Sequence, residues 1–503
     1  MDTRGEMKDN LSNLVVRGGI MVAVMKVIER IMTMIRLVIL ARLLSPNDFG
    51  LMGIALLILT IFDTFSQTGL RQALIQKKED IKGYLNSAWT ILVVRSFFLV
   101  VVIALLAPYA ATFFKAPDAT NIIRVVPIAI ICIAFTNIGI IYFQKELNFK
   151  KQVVLELCAI TADFTIAITL AFALRNIWAL VCGMLTGHFT RMIVSYVLHP
   201  YRPRFDFNLT KAAELFRFGK WVVGSTIMVF LITQGDSLMV AKIAGVAALG
   251  FYQVAYRISN ITATEITYII TQVTFPAYSK IQDNKERLRE AYLKVLSIVC
   301  FVAIPLATVI VLFSRDFTII FMKEKWLPMV PVLQILSVAG LFRALAATAT
   351  PVFYAVGRPV WDTRLQFARL IIMIALIVPL LNTYGITGAA VAVTISIFIA
   401  LLGFIYSIMQ ILACPLYTIM RRILYPALSS ILMVVVCIFI QRMLQPIGIF
   451  AFILLVTVSA ITYFGAMLFW QYTVSYRVMS ILLDHIKQVR RKNMSPEEQS
   501  ETE

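Results

Sequence analysis

The chain has 503 residues, of which 60% are hydrophobic and only 15% are charged, and its formal net charge is +19. Soluble domains carry roughly 25% charged residues, so this composition excludes an ordinary water-soluble fold. In a membrane protein the basic residues must lie at helix ends, in loops or in a protein-lined cavity. Nucleic-acid binding is therefore the weaker interpretation of the charge, and no nucleic-acid partner is expected.

The sequence carries no motif for a metal, a cofactor or a disulfide. Its six cysteines fall in or beside apolar stretches, without a CxxC pair or a histidine at metal-ligand spacing. Phosphate-binding GxxxxGKS/T loops, dinucleotide-binding GxGxxG turns and HExxH pairs are also missing from the sequence. We therefore expect no metal site and no cofactor, and a transport function rather than an enzymatic one.

Apolar runs long enough to cross a bilayer recur along the whole chain. A spanning helix needs about 20 mainly apolar residues. We predict an all-α polytopic membrane protein with about fourteen transmembrane helices, near residues 14–43, 50–75, 84–108, 120–144, 152–174, 176–198, 216–243, 247–277, 290–314, 327–355, 363–382, 385–413, 422–443 and 447–475. The first of these has ionic residues and no small-residue cleavage site, so we expect it to be retained rather than removed as a signal peptide.

Basic residues concentrate in every second connection, which sets the predicted orientation. Short cytoplasmic loops are enriched in Lys and Arg. The basic connections contain Lys77, Lys78 and Lys82; Lys145, Lys150 and Lys151; Arg202, Arg204 and Lys211; Lys280, Lys285, Arg287 and Arg289; Arg358 and Arg364; and Arg421 and Arg422. The intervening connections have fewer cations, with Lys115, Arg175 and the 314–326 segment as exceptions. Both termini are therefore expected in the cytoplasm.

An internal repeat with an offset of 200 residues divides the chain. ARLLSPNDFGLMGIA at 41–55 aligns with AKIAGVAALGFYQVA at 241–255, and Gly50 falls over Gly250. We predict an N-terminal six-helix lobe at 1–205 and a C-terminal six-helix lobe at 206–415, with a substrate path between them. Two additional helices at 416–475 and a cytoplasmic amphipathic and disordered tail at 476–503 complete the organisation.

Ionisable side chains inside the predicted spans form the candidate site. Each costs roughly 2.5–3.5 kcal/mol on insertion scales, so such residues face protein or water. We predict a cationic cavity that binds a diphosphate and sugar headgroup, lined by Lys26, Arg30, Arg36, Arg71, Arg257 and Asn260. The alternative is structural pairing: Asp236 occupies the repeat position of Arg36, and the two could pair without touching a ligand. His188 and Arg191 fit either a proton relay or simple hydrogen bonding.

Five segments together resemble one family of membrane proteins. ARLLSPNDFGLMGIA, LRQALIQKKE (70–79), RFGKW (217–221), FPAYSKIQDNKERLR (275–289) and EKWLPMVPVLQIL (324–336) are similar to segments of the polysaccharide transporter family, the Wzx-type flippases of the MATE-like MOP superfamily. The resemblance extends to about residue 415. The branch it resembles most exports exopolysaccharides such as colanic or teichuronic acid.

The resemblance implies a flippase of the bacterial inner membrane. Such a protein moves undecaprenyl-diphosphate-linked oligosaccharide from the cytoplasmic to the outer leaflet by alternating access, for exopolysaccharide or lipopolysaccharide biosynthesis. Its partners would be the lipid-linked oligosaccharide, membrane lipids, a proton or sodium ion, and the polysaccharide polymerase and glycosyltransferases. Glu29, Asp63 and Asp236 are the candidates for coupling to the ion.

Three other functions remain open at this stage. A cation-coupled multidrug exporter of the same superfamily would prefer an acidic cavity, whereas the predicted one is basic. A flippase for the peptidoglycan lipid intermediate would share the helix count and the basic cavity. A membrane polymerase or acyltransferase would be expected to carry a sizeable outward loop, and the outward loops here are short.

Overall fold

The computed structural model describes the backbone of residues 3–66, 82–145, 149–207, 209–260, 274–444 and 448–474. Side chains are described within these ranges except for 3–20, 23, 82, 144–145, 209–225 and 474. Arg71 and the tail at 476–503 lie outside the described residues. The chain divides into two compact units, residues 1–253 with 321–325, and residues 254–320 with 326–503. The lobe boundaries expected from the sequence stay predictions.

The described part of the first unit consists of helices and their connections. Its helices are α1 (Thr3–Leu43), α2 (Pro46–Phe65), α3 (Lys82–Phe113), α4 (Ala119–Val125), α5 (Ile128–Phe135), α6 (Ile141–Lys145), α7 (Phe149–Leu174), α8 (Trp178–Leu198), α9 (Leu209–Ile243) and most of α10 (Val246–Ser259). Helix α2 starts at Pro46, before the expected residue 50. Ser45 and Asp48 form a capping box there, which satisfies backbone N–H groups at the helix start.

The second unit holds the remaining helices. They are α11 (Lys285–Phe317), α12 (Val330–Ala347), α13 (Thr350–Ala355), α14 (Pro359–Leu412), α15 (Leu416–Met443) and α16 (Ile449–Val474). A π-helical turn (Thr318–Met322) and a 3-10 helix (Glu324–Met329) connect α11 to α12. The core of this unit includes stacked Phe353 and Phe404, with ring centroids 5.8 Å apart.

The described residues contain ten helical segments long and apolar enough to cross a membrane, which confirms the all-α, multi-pass class. The count of fourteen stays a prediction. Helix α14 is counted once but has 54 residues, or about 81 Å at 1.5 Å per residue, roughly twice the thickness of a bilayer. Gly385 interrupts it with a φ of 58°, so α14 contains two spans, divided at the end of the predicted turn.

The fourth predicted span, at 120–144, is a broken helix. It consists of α4, α5, a 3-10 turn (Ile138–Ile140) and α6. Pro127 follows the end of α4, and Thr136 and Asn137 leave the helical conformation with ψ angles of 137° and 114°. Irregular backbone at membrane depth persists only where protein or a cavity surrounds it. The break therefore marks a place where the interior of the first unit is polar.

Cations in the connections expected outside occupy helix C-termini. Lys115, Arg175 and Lys323 have φ angles of 52°, 51° and 72°, the left-handed conformation common at a helix end. Lys325 donates hydrogen bonds to the carbonyl oxygens of Arg42 and Leu44 at the end of α1, at 3.0 and 2.6 Å. A cation at a helix C-terminus is favoured by the helix dipole, which explains these exceptions to the charge pattern.

Helices α2 and α10 cross in reciprocal contact at the repeat positions. A Cβ on Gly50 would lie 1.9 Å from the carbonyl oxygen of Val246, and one on Gly250 would lie 2.0 Å from that of Pro46. The offset of 200 relates Gly50 to Gly250 and Pro46 to Val246. Each glycine therefore packs on the backbone of the equivalent residue's helix, as the repeat predicts for a pair of twofold-related helices.

Candidate functional site

Of the three cavity cations predicted on α1, two have carboxylate partners in the structure. Lys26 pairs with Glu29 on the same helix at 2.8 Å, and both side chains are substantially exposed. Arg36 pairs with Asp163 of α7 at 2.8 Å, and its side chain is only 18% exposed. The sequence left open a pairing of Arg36 with Asp236, and the structure pairs Arg36 with Asp163. Arg30 is half-buried between these pairs along the helix.

Asp63 of α2, a candidate for ion coupling, is held by an arginine of α3. Arg95 donates to the Asp63 carboxylate at 2.6 Å and to the Asp63 backbone carbonyl at 2.8 Å. The same guanidinium donates to the hydroxyl of Ser66, which caps the end of α2. This charge-assisted network fixes the last turn of α2 against α3.

Asp236, the third coupling candidate, is buried at only 2% exposure. Its carboxylate accepts a hydrogen bond from the Tyr252 hydroxyl at 2.8 Å and from the backbone N–H of Ser237 at 2.7 Å. These two hydrogen bonds come from uncharged donors, and they stabilise a carboxylate that has lost its contact with water. The contact joins α9 to α10 within the first unit.

The second unit contains a separate polar cluster around Arg343 of α12. Arg343 donates to the side-chain oxygen of Asn260 and to the Tyr256 hydroxyl at 3.2 Å, and its guanidinium lies 5.5 Å from the Tyr256 ring centroid. Arg257, on the same helix as Tyr256, is exposed. Of the predicted cavity residues, Asn260 therefore contacts an arginine that the sequence analysis did not select.

A fourth ion pair in the first unit borders a cavity. Arg191 of α8 pairs with Glu156 of α7, and His188 lies one helical turn before Arg191. These three side chains line a cavity of about 270 Å³, together with apolar residues of α3, α5 and the 3-10 turn. The cavity lies beside the break between α5 and α6.

The connection from α8 to α9 is bound to the start of α3, close to this cavity. The Tyr201 hydroxyl and the Arg204 backbone N–H both donate to the side-chain oxygen of Asn86, at 2.8 and 3.0 Å. Burial raises the pKa of the Tyr201 hydroxyl, so it stays protonated and continues to donate. Phe205 packs on Trp89 with ring centroids 5.0 Å apart.

Several of the predicted residues have partners in the described part of the chain. Glu29 and Lys26 meet, Arg36 and Asp63 have partners on other helices, and Arg71 lies outside the described residues. The sequence analysis missed Arg95, Asp163, Glu156 and Arg343, although each is a charged residue inside an apolar run and could have been selected by that rule. No group of three or more His, Cys, Asp or Glu side chains that could hold a metal occurs among the described residues.

The fold is shared with solved membrane transport proteins. Lipid II flippase MurJ in an inward closed conformation matches with a TM-score of 0.73 and 15% identity, over 90% of this chain and 99% of that one. An inward-facing multidrug resistance MATE family transporter of the MOP superfamily matches with a TM-score of 0.57 and 18% identity, over 76% and 95%. The structure therefore shares its fold with these two proteins.

Sequence comparison gives the family. The polysaccharide biosynthesis protein family matches residues 39–331, more than half of the chain, and the chain belongs to this family. Lipopolysaccharide biosynthesis protein WzxC of Escherichia coli is 30% identical over 318 residues, 62% of this chain and 64% of that protein. Succinoglycan biosynthesis transport protein ExoT of Rhizobium meliloti is 24% identical over 321 residues, 64% and 65%.

A third relative matches over a greater length. An uncharacterized membrane protein in the cps region of Klebsiella pneumoniae is 26% identical over 435 residues, 85% of this chain and 89% of that protein. The chain thus spans just under two thirds of WzxC and ExoT, and most of the Klebsiella protein.

Proposed function

We propose that this protein is a flippase that moves undecaprenyl-diphosphate-linked oligosaccharide from the cytoplasmic to the outer leaflet of the bacterial inner membrane. The observation that carries the proposal is a fold shared with a lipid II flippase in a chain of the polysaccharide biosynthesis family. The names of WzxC and ExoT associate these relatives with lipopolysaccharide biosynthesis and succinoglycan transport. The protein would serve exopolysaccharide or lipopolysaccharide biosynthesis as a transporter and not as an enzyme.

The proposed substrate site is the polar interior near α1. A diphosphate would compete with Glu29 for Lys26 and with Asp163 for Arg36, since each of these cations already has a carboxylate partner. Arg30 of the same helix belongs to the proposed headgroup contacts, and Arg71, Arg257 and Asn260 remain substrate-binding candidates predicted from the sequence alone. Hydrogen bonds to charged groups contribute about 1.5–3 kcal/mol each, so the loss of one arginine should weaken headgroup binding by about ten- to a hundredfold.

Ion coupling is proposed at a carboxylate that exchanges partners during transport. Asp63 and Asp236 each join two helices in the first unit, so a change in their charge would loosen a helix contact. Glu29, which pairs within one turn of α1, is the third candidate. The coupling ion would be a proton or a sodium ion, with both chain termini in the cytoplasm.

A complementation assay tests the proposal. The host is a bacterium that lacks its own polysaccharide flippase, and the readout is surface polysaccharide. We expect rescue by the wild type and loss of rescue with Arg30→Ala, Arg36→Ala and Arg71→Ala at matched expression. Arg124→Ala is the control, since this arginine of α4 is exposed and outside the proposed site.

The result that contradicts the proposal is equally specific. Wild-type protein that is well expressed with its cognate glycan pathway, yet restores no surface polysaccharide, would refute flippase activity. Resistance to toxic cations in the same strain would favour a multidrug exporter instead. Equal rescue by all four variants would refute the cationic site while leaving the flippase function in place.

A further inference from the structure

The cavity beside the broken helix is a preformed space within the first unit. Its volume is about 270 Å³, far more than the roughly 10–15 Å³ that one water molecule needs. Packing defects in protein interiors are few and mostly smaller than this. A space of this size beside three ionisable side chains can hold an occupant that satisfies both its apolar walls and its polar end.

The break in the helix is held open by one fully buried side chain. The Asn137 amide donates to the carbonyl oxygens of His199 and Tyr201, at 3.2 and 2.7 Å. Its side-chain oxygen accepts from the Gly139 N–H, and its own backbone N–H donates to the Ser195 hydroxyl. Every polar group of the Asn137 side chain is engaged, so the break is a fixed feature of the fold.

The polar end of the cavity holds hydrogen-bond donors that the described residues leave unused. Arg191 gives one N–H to Glu156 and keeps the rest of its five donors. No hydrogen bond engages the His188 imidazole within the described part of the chain. Trp89, which is 5% exposed and lines the cavity, has no partner for its indole N–H among the described residues. Donors on a cation and an indole suit an oxyanion, which would share Arg191 with Glu156 or take the place of this carboxylate.

The opposite side of the cavity opens on an apolar surface. Ile133 lines the cavity and is 52% exposed. Phe97, also exposed, packs edge-on against Phe135 next to it, with ring centroids 6.1 Å apart. Exposed apolar side chains on spanning helices contact lipid chains. The occupant that fits both ends is therefore an apolar chain that carries an anion.

The depth of the polar end agrees with a lipid headgroup. Trp89, Glu156 and Arg191 each lie seven positions from the end of their helix, at Lys82, Phe149 and Leu198. Seven residues rise about 10 Å. All three helix ends border connections that are rich in Lys and Arg, the predicted cytoplasmic side.

We propose that this cavity binds an apolar chain bearing a phosphate, with the phosphate on Arg191 and His188 and the chain along Ile133. Two sources share this chemistry. One is an anionic phospholipid of the membrane, which requires nothing of the transport function. The other is the polyprenyl phosphate portion of the substrate, and that source rests on the proposed function.

Trp89 provides the readout, because a brominated lipid chain quenches an indole that it contacts. Full-length protein is reconstituted in vesicles of phosphatidylcholine or of phosphatidylglycerol, each with brominated acyl chains. The quenching due to Trp89 is obtained by subtracting the quenching measured with Trp89→Phe from that measured with the wild type. We expect a preference of about fivefold for the anionic lipid, which is the approximately 1 kcal/mol expected for one basic residue near the membrane surface.

Three single variants and one double variant distinguish lipid binding in the cavity from nonspecific effects on the quenching. Arg191→Gln should abolish the preference, and Ala134→Leu, which fills the space beside Ile133, should abolish the quenching itself. Arg124→Gln, an exposed arginine away from the cavity, should change neither. The double variant Glu156→Gln with Arg191→Gln removes both members of the ion pair, so loss of preference there is not caused by an unpaired carboxylate.

Added non-brominated polyprenyl phosphate distinguishes the two sources. Relief of quenching at low molar ratio identifies the polyprenyl chain, and unchanged quenching identifies the phospholipid. Trp89 quenching that is equal for both headgroups, or that survives Ala134→Leu, would overturn the proposal. Since complementation measures transport and quenching measures occupancy, failure of one leaves the other interpretable.

Discussion

The crossing of α2 and α10 gives the most direct test of the repeat. In Gly250→Ala the new methyl group would lie 2.0 Å from the Pro46 carbonyl oxygen, against the 3.4 Å at which ordinary contact begins. The helices must therefore separate by about 1.4 Å at this point, the difference between those two distances. Overpacking of this kind costs about 1–3 kcal/mol, which shifts an equilibrium by about 5- to 150-fold.

Thermal unfolding of the purified protein and complementation in the flippase-deficient host measure this effect. We expect Gly250→Ala and Gly50→Ala each to lower the unfolding temperature and to reduce surface polysaccharide. Gly465→Ala in α16 is the matched control, since nothing lies within 4 Å of its added methyl group. Alanine there should be neutral or slightly stabilising, because it is a better helix former than glycine by about 1 kcal/mol.

A double variant, in which both glycines are replaced by alanine, tests whether the two contacts are coupled. If the crossing is one reciprocal contact, the cost in the double variant should fall short of the sum of the single costs, since the first substitution already separates the helices. Gly250→Ala that unfolds and functions like Gly465→Ala would refute the close backbone packing. Strictly additive costs would refute the reciprocity.

Three further predictions concern the polar contacts of the first unit. Asp163→Asn leaves Arg36 without its carboxylate partner and should destabilise the protein by about 3–5 kcal/mol. Denaturation that matches wild type would contradict this prediction. The double variant Arg36→Met with Asp163→Leu should recover part of the lost stability. Tyr252→Phe removes one hydrogen bond to buried Asp236 and should cost about 1–3 kcal/mol, measured by thermal unfolding, with exposed Tyr472→Phe as the control. Asn137→Ala leaves the carbonyls at the helix break without their donor and should increase hydrogen exchange at 136–140 selectively, whereas uniform exchange across α3 and α8 would indicate global loosening.

The sequence predicts the spanning helices well, because a run of about 20 apolar residues has few other stable solutions. It also locates the turn at Gly385 and aligns Gly50 with Gly250, since both depend on local signals or on the repeat. The break at Asn137 was not anticipated. Its stability depends on His199 and Tyr201, which are more than 60 positions away along the chain.

The candidate site could be predicted only in part. Intramembrane charge identifies Arg36 and Asp63 as polar positions, because an ionised side chain must be shielded from lipid. Partner choice depends on how helices are arranged, so Asp163 and Arg95 emerge only from the structure. The repeat alignment suggested Asp236 for Arg36, and it failed because equivalent positions need not face one another.

The cations at the helix C-termini have a consequence for topology prediction in related chains. A lysine or arginine in the left-handed conformation within two residues of a helix end, like Lys115, Arg175 and Lys323, lies where the helix dipole favours a cation. The end of the helix is sufficient to explain the position of such a residue. Counts of basic residues in short loops should therefore omit such positions, because they report where a helix stops and carry no information about which side of the membrane the loop occupies.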